Sequence, residues 1–256
     1  MRSRILDQPI DIVNKEEALR RSKMALVNSR QFKIITLNSE MVISAEKNIE
    51  FQAAINNASL IIPDGTGITW ALKLLDNTKF QEIERVPGIE LAEQILESAN
   101  ELDKKVAVFG GKKESLEKAI VKIREKYPNI QIVKAIDGYQ GKERDKEIAL
   151  EIASLNPDVV LIALGSPAQE IWMNKFSSLF PESIMIGIGG SLDVWSGKKK
   201  RAPQWMRNYN LEWLYRVISE PRRVPRVMRS LPVFMWRVIT SIKSRQIQDY
   251  LRTARH

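Results

Sequence analysis

The chain of 256 residues has no cysteine, and its single histidine is the last residue, His256. Thiol nucleophiles, thiolate metal sites and a histidine base inside the fold are thereby excluded, and acid or base chemistry falls to carboxylates, Lys or Tyr. Long apolar runs are also missing. The longest, Leu231 to Met235 and on past Arg237 to Ile242, is about a dozen residues, whereas a bilayer span needs roughly 20. Met1-Arg2-Ser3-Arg4-Ile5-Leu6-Asp7 offers no apolar run before a small-residue cleavage site, so no secretory signal is expected and the cytoplasm is the default compartment. No G-x-x-x-x-G-K-[ST] occurs, which rules out a P-loop. Gly187 to Asp193 is glycine-rich but lacks the G-x-G-x-x-G spacing and follows the last strand pattern rather than the first, so a nicotinamide or flavin enzyme is poorly supported. There is no Asp-x-Asp pair of the kind that holds a divalent ion beside a sugar nucleotide, so phosphate charge would fall to Arg, Lys and backbone N–H groups.

What the chain does have is a composition fit for a real core, 44% hydrophobic and 28% charged, which excludes a disordered or collagen-like polymer. Its formal charge of +9 is unevenly placed. Residues 197 to 256 hold 15 Lys and Arg against Glu212, Glu220 and Asp249, or +12, while the first 196 residues hold 25 basic against 28 acidic side chains, or −3. A basic segment of this kind is either a solvated tail or the partner of an anionic surface, nucleic acid or membrane. Trp205, Trp213, Trp236, Leu231, Phe234 and Val238 interleave with the charge, which favours an interfacial helix: apolar bodies sink to headgroup depth while cations meet lipid phosphates.

Before residue 197, short apolar runs alternate with helical patterns. Phe32 to Leu37, Leu60 to Ile62, Val106 to Phe109, Ile130 to Ile136, Val159 to Leu164 and Ile184 to Ile188 are predicted strands. Predicted helices cover Lys15 to Ser29, with Asn14 as N-cap and Glu17 closing a capping box, then Ile89 to Leu102, Lys113 to Tyr127, Asp145 to Leu155 and Ala168 to Leu179. Near-continuous apolar strands alternating with helices imply an α/β fold, a Rossmann-like, mostly parallel sheet covered on both faces. Each strand ends in a turn rich in Gly, Asp or Asn, and in such a sheet these turns gather at the carboxyl edge, where ligands bind. Tight βα turns use the same residues for geometry alone. Asp64, in Pro63-Asp64-Gly65-Thr66-Gly67, would on its own read as a helix cap; without His or Cys it is also the best-placed general base.

Several segments together resemble one family, the bacterial WecG/TagA/CpsF glycosyltransferases, which include N-acetylmannosaminyltransferases of teichoic acid linkage and enterobacterial common antigen synthesis. They are Thr36-Leu37-Asn38-Ser39-Glu40, Pro63 to Gly67, Glu84-Arg85-Val86-Pro87-Gly88, Gly138-Tyr139, Ala163 to Glu170, Gly187 to Asp193, Arg201-Ala202-Pro203, Leu211 to Arg216 and Glu220-Pro221-Arg222-Arg223. The resemblance implies an inverting, metal-independent transfer, without a cofactor, of a sugar from a UDP-sugar donor to a polyprenyl-diphosphate-linked acceptor, undecaprenyl-diphosphate-GlcNAc. The commonest donor in the family is UDP-ManNAc; other relatives use other hexoses. It further implies a catalytic core over residues 1–196 and a basic appendage over 197–256 that associates with the inner face of the membrane and closes the active site. Carried over by position, Asp64 is the base, Thr36, Asn38 and Gln169 are active-site polar residues, and Arg85 lies near the reacting groups. Tyr139 and Asp193 lie near the uridine, and Arg216, Arg222 and Arg223 meet diphosphate; Gly65, beside Asp64, has no side chain and lets the backbone approach a ligand closely. Ala168 and Leu192 depart from the common pattern, which has Lys and Phe there. This reading makes nucleic acid no partner and leaves room for a homo-oligomer; the competing class is a nucleic-acid-binding module that uses the basic tail.

Overall fold

The computed structural model describes the backbone of residues 1–75, 80, 83–221 and 224–253, and the side chains of the same residues apart from 226 and 243–253. In chain order the elements are β1 (Arg2–Ile5), β2 (Gln8–Asp11), α1 (Lys15–Val27), β3 (Phe32–Leu37), α2 (Ser39–Ala45), α3 (Ile49–Asn56), β4 (Leu60–Pro63), α4 (Thr66–Leu75) and α5 (Gly88–Glu101). There follow β5 (Lys105–Gly110), α6 (Lys113–Lys126), β6 (Gln131–Ile136), α7 (Asp145–Ala153), β7 (Val159–Ala163), α8 (Ala168–Phe176), β8 (Ile184–Gly187) and α9 (Ser191–Trp195). The basic segment forms α10 (Gln204–Asn208), α11 (Glu212–Ser219) and α12 (Val224–Thr253).

Strands β3 to β8 make a parallel six-stranded sheet in the order β4-β3-β8-β7-β5-β6. Period-two alternation sends successive side chains to opposite faces, and both faces are buried. In β5, Val106 and Val108 enter the core shared with α1, α5 and α6, while Ala107 and Phe109 enter the one shared with α2, α3, α7 and α8; β7 divides Val159 and Leu161 from Val160 and Ile162 in the same way. The predicted strands and helices are all present, with ends moved by up to three residues. Asn14 caps α1 by accepting the Glu17 N–H at 2.8 Å, but the Glu17 carboxylate pairs with Arg20 and Arg21 rather than closing a capping box.

The hairpin of β1 and β2 was not foreseen. Its two-residue turn, Leu6-Asp7, has φ of 45° and 67°, the double positive φ of a type I′ turn usually announced by Asn-Gly. Asp11, at its end, binds Arg2 at 2.8 Å and accepts the Ile61 N–H at 2.8 Å, fastening the hairpin beside β4, the outermost strand.

Helix α12 packs on α2 and α4. Phe234 and Val238 are fully buried in the sheet's second core, and Arg237 bonds Glu46 at 2.8 Å. Phe234 and Val238, read from the sequence as part of a lipid-facing surface, therefore face the protein. Trp236, Val233, Met228 and Ile239 point outward. Among the described residues no helix is long and apolar enough to cross a membrane.

Candidate active site

The carboxyl ends of β3, β4 and β8 converge on one region, each delivering a polar group by the turn that follows it. Thr36 lies near the end of β3, and Asn38 caps α2, its side chain accepting the Met41 N–H at 3.0 Å. Asp64 follows β4. Its Oδ1 accepts the Gly88 N–H at 3.0 Å, so the carboxylate satisfies the first turn of α5 and not of the helix that follows it in sequence. Gly88 permits this approach, because a Cβ there would come within 2.6 Å of Thr36 Cγ2. Arg85 donates through Nε to the Asp64 carbonyl at 2.6 Å and places a terminal nitrogen 3.8 Å from Asp64 Oδ1.

Gln169, at the start of α8, accepts the Gly189 N–H at 3.1 Å and donates to the Glu170 carboxylate at 2.7 Å. These two bonds set which end of the amide carries the nitrogen. Gly187 makes room for it, since a Cβ would stand 2.4 Å from Gln169 Nε2. Burial pushes the Glu170 carboxyl up, against hydrogen bonds from Gln169 and Ser166.

Two cavities meet here. The first, about 510 Å³, is lined by Thr36, Asn38, Asp64, Gln169, the Gly187 to Ser191 turn and the cationic run Lys198, Lys199, Lys200 and Arg201. The second, about 410 Å³, lies between α4, α11 and α12 and joins Gly65, Arg85 and Ser230 to the apolar surfaces of Trp70, Trp213, Val217, Leu231 and Met235. Asn38, Glu40, Asp64, Glu212 and Arg216 border both. The Asp64 side chain keeps 26% of its surface open to them. Even so, the depth of the site removes enough water to push its pKa up; Arg85, Arg216 and the Gly88 N–H oppose that rise and Glu212 adds to it.

The structure thus brings together Thr36, Asn38, Asp64, Gly65, Arg85, Gln169 and Arg216. It does not bring in the other two described candidates. Tyr139, 72% exposed, stands on the turn after β6 and lines neither cavity. Asp193 accepts from the Ser115 hydroxyl at 2.9 Å and pairs with Lys199 at 3.1 Å, behind the cavity wall. Arg222 and Arg223 lie outside the described residues. Sequence reasoning missed Lys198 to Arg201 as cavity wall, and above all Glu212. The available signal for Glu212 was its rarity, one of three acids in a +12 segment, with Arg216 four residues on.

A model of the glycosyl transferase WecG/TagA/CpsF family matches residues 3–248. The N-acetylglucosaminyldiphosphoundecaprenol N-acetyl-beta-D-mannosaminyltransferase of Bacillus subtilis strain 168 is 37% identical over 214 residues, 83% of this chain and 81% of that protein. Proteins of the same name from Bacillus spizizenii and Staphylococcus aureus strain MW2 are 35% and 36% identical, each over 80% of this chain and 78% of their own length. With a family model matched over nearly the whole chain and relatives this similar over four fifths of it, the chain belongs to the WecG/TagA/CpsF family and is a glycosyltransferase.

Proposed function

We propose that the protein transfers a sugar, ManNAc from UDP-ManNAc, to GlcNAc carried on undecaprenyl diphosphate, in teichoic acid or related surface-polymer synthesis. The observation that carries this reading is the pair of cavities with Asp64 in their common wall. The first, edged by the cationic run Lys198 to Arg201 and by Arg216, suits a nucleoside diphosphate. The second, apolar on one side and polar at its floor, suits a sugar borne on a lipid. A hydroxyl of the acceptor sugar attacks the anomeric carbon on the side opposite UDP, and Asp64 takes its proton as the bond forms. A single displacement inverts the anomeric centre.

UDP gains negative charge as it departs. Arg216 and the Lys198 to Arg201 run are positioned to stabilise it, and each well-aimed contact of this kind is worth about 3 kcal/mol, roughly a hundredfold in rate. No divalent ion takes part in this reading; the cavity's cations do that work. Residues 1–196 form the catalytic core and residues 197–256 the appendage, which completes the cavity wall and holds the enzyme on the inner face of the membrane, where its acceptor resides. The outward Trp236, Val233 and Ile239 beside Arg229 and Arg237 support the last point.

The test is incubation with UDP-ManNAc and a lipid-diphosphate-GlcNAc analogue, with and without EDTA. UDP release, a β-linked disaccharide and indifference to EDTA are expected. No product sinks the donor and acceptor assignment; loss of rate on chelation, restored by Mg²⁺, sinks the metal-free mechanism.

A further inference from the structure

Glu212 opens α11 within the basic segment, yet it is only 1% exposed. Three guanidinium groups surround it: Arg85 and Arg216 at 3.0 Å each and Arg201 at 3.5 Å. Burial alone would raise its carboxyl, but Arg216, Arg85 and Arg201 hold it below the usual range, so it stays ionised at neutral pH.

Two of those arginines also act on Asp64. The terminal nitrogen of Arg85 is 3.0 Å from Glu212 and 3.8 Å from Asp64 Oδ1, so the appendage carboxylate has the closer hold on it. Without Glu212, the same nitrogen would face one carboxylate instead of two and would close on Asp64. A carboxylate held in such a pair binds a proton less readily and is the weaker base for it.

We infer that Glu212 is a positioning residue: it draws Arg85 and Arg216 off the Asp64 carboxylate and so keeps that carboxylate free to accept the proton of the acceptor hydroxyl. The inference rests on the reading of Asp64 as base. Because Glu212 belongs to α11, the base is tuned only while α11 is seated against the core, which ties chemistry to docking of the appendage.

The charges facing Asp64 support the direction of the effect. Arg85 approaches from the segment before α5, where the Gly88 N–H also bonds it; Arg216 and Glu212 approach from α11; Glu40 on α2 borders the same two cavities; Lys198 to Arg201 line the far wall of the first. Replacing Glu212 by Gln removes one influence that favours the protonated acid and releases two cations that disfavour it. The Asp64 pKa must then fall.

The experiment measures kcat and kcat/KM against pH for the full-length protein and its Glu212→Gln variant, with UDP-ManNAc and a soluble lipid-diphosphate-GlcNAc analogue. The acid limb should move down by about one pH unit, the shift a newly freed neighbouring cation gives a carboxylate, while the plateau falls about tenfold. KM for the donor reports separately on Arg216 and the cavity wall that Glu212 also borders, so the position of the acid limb in kcat is the readout of the base. A folded variant whose acid limb is unmoved, or moved upward, overturns the proposal. If Glu212→Gln melts far below the parent protein, Glu212→Asp keeps the charge and withdraws it by one methylene, and NMR titration of 13C-labelled aspartate, with Asp64→Asn identifying the signal, reads the Asp64 carboxyl directly. A downward shift there supports the proposal and an unchanged titration overturns it. Asp64→Asn with near-normal turnover would overturn the base reading as well; an inactive Asp64→Asn beside an unmoved Glu212→Gln profile would overturn only the role of Glu212.

Discussion

The sheet and the C-terminal helix use the same kinds of apolar side chain to different ends. In β5 and β7 every residue from Val106 to Phe109 and from Val159 to Ile162 is buried, half to each face. In α12 one stripe, Phe234 and Val238, is buried against α2 and α4, while another, with Trp236 64% exposed, stays open. The sheet sits in a region of net charge −3 and the helix in one of +12. An amphipathic pattern therefore does not say which apolar stripe a protein keeps for itself. Here the inner stripe belongs to the core, and the outer one faces away from it.

The harshest way to break this contrast is to delete residues 197–256. The deletion removes Phe234 and Val238 from the core and Glu212, Arg216 and Lys198 to Arg201 from the cavities. Turnover should fall more than about a thousandfold, even with a soluble acceptor, and calorimetry should record a lower melting temperature. A truncated chain as stable and active as the whole would reduce the segment to an anchor.

Asp64→Asn acts on the core side alone. It should cost about a thousandfold in kcat, within the range for a general base, with UDP protection against heat retained. Because burial raises the Asp64 pKa and the ionised form is the base, the parent enzyme's rate should climb with pH through a limb lying above the usual aspartate range. A limb at or below that range would remove the desolvated carboxylate from the mechanism.

The two stripes of α12 are separated by a pair of variants. Phe234→Ala should destabilise the fold by about 3 kcal/mol in denaturant titration, the usual cost of emptying a buried Phe site. Trp236→Ser should leave stability and turnover of a soluble acceptor unchanged and weaken binding to anionic liposomes about tenfold. If both variants behaved alike, the division of α12 into two faces would be wrong.

Much of this was legible in the sequence because it rests on local rules. The strands of the sheet showed as apolar runs, the helices as period-3.6 patterns, and Asp64 stood out because no His or Cys competes with it. The hairpin escaped because Leu6-Asp7 is an unusual pair for positive φ, and α2 and α3 are too short for their periodicity to show, although Asn38 and Asn48 do cap them. Glu212 escaped for a different reason. It meets Arg85 from more than a hundred residues away, and no local pattern records a contact made by the fold. Tyr139 and Asp193 show the converse, since turns at one sheet edge do not all reach one cavity.

Asp11 has a consequence for behaviour at high concentration. The outer edge of a parallel sheet offers main-chain groups on which another chain can build, and here a side-chain carboxylate occupies one of them, the Ile61 N–H, while the hairpin it belongs to screens the strand. Replacing Asp11 by Ala would therefore do more than remove an ion pair with Arg2: it would uncover a template for strand addition, and the defect would emerge as self-association that grows with protein concentration while each dissolved molecule still carried an intact catalytic centre.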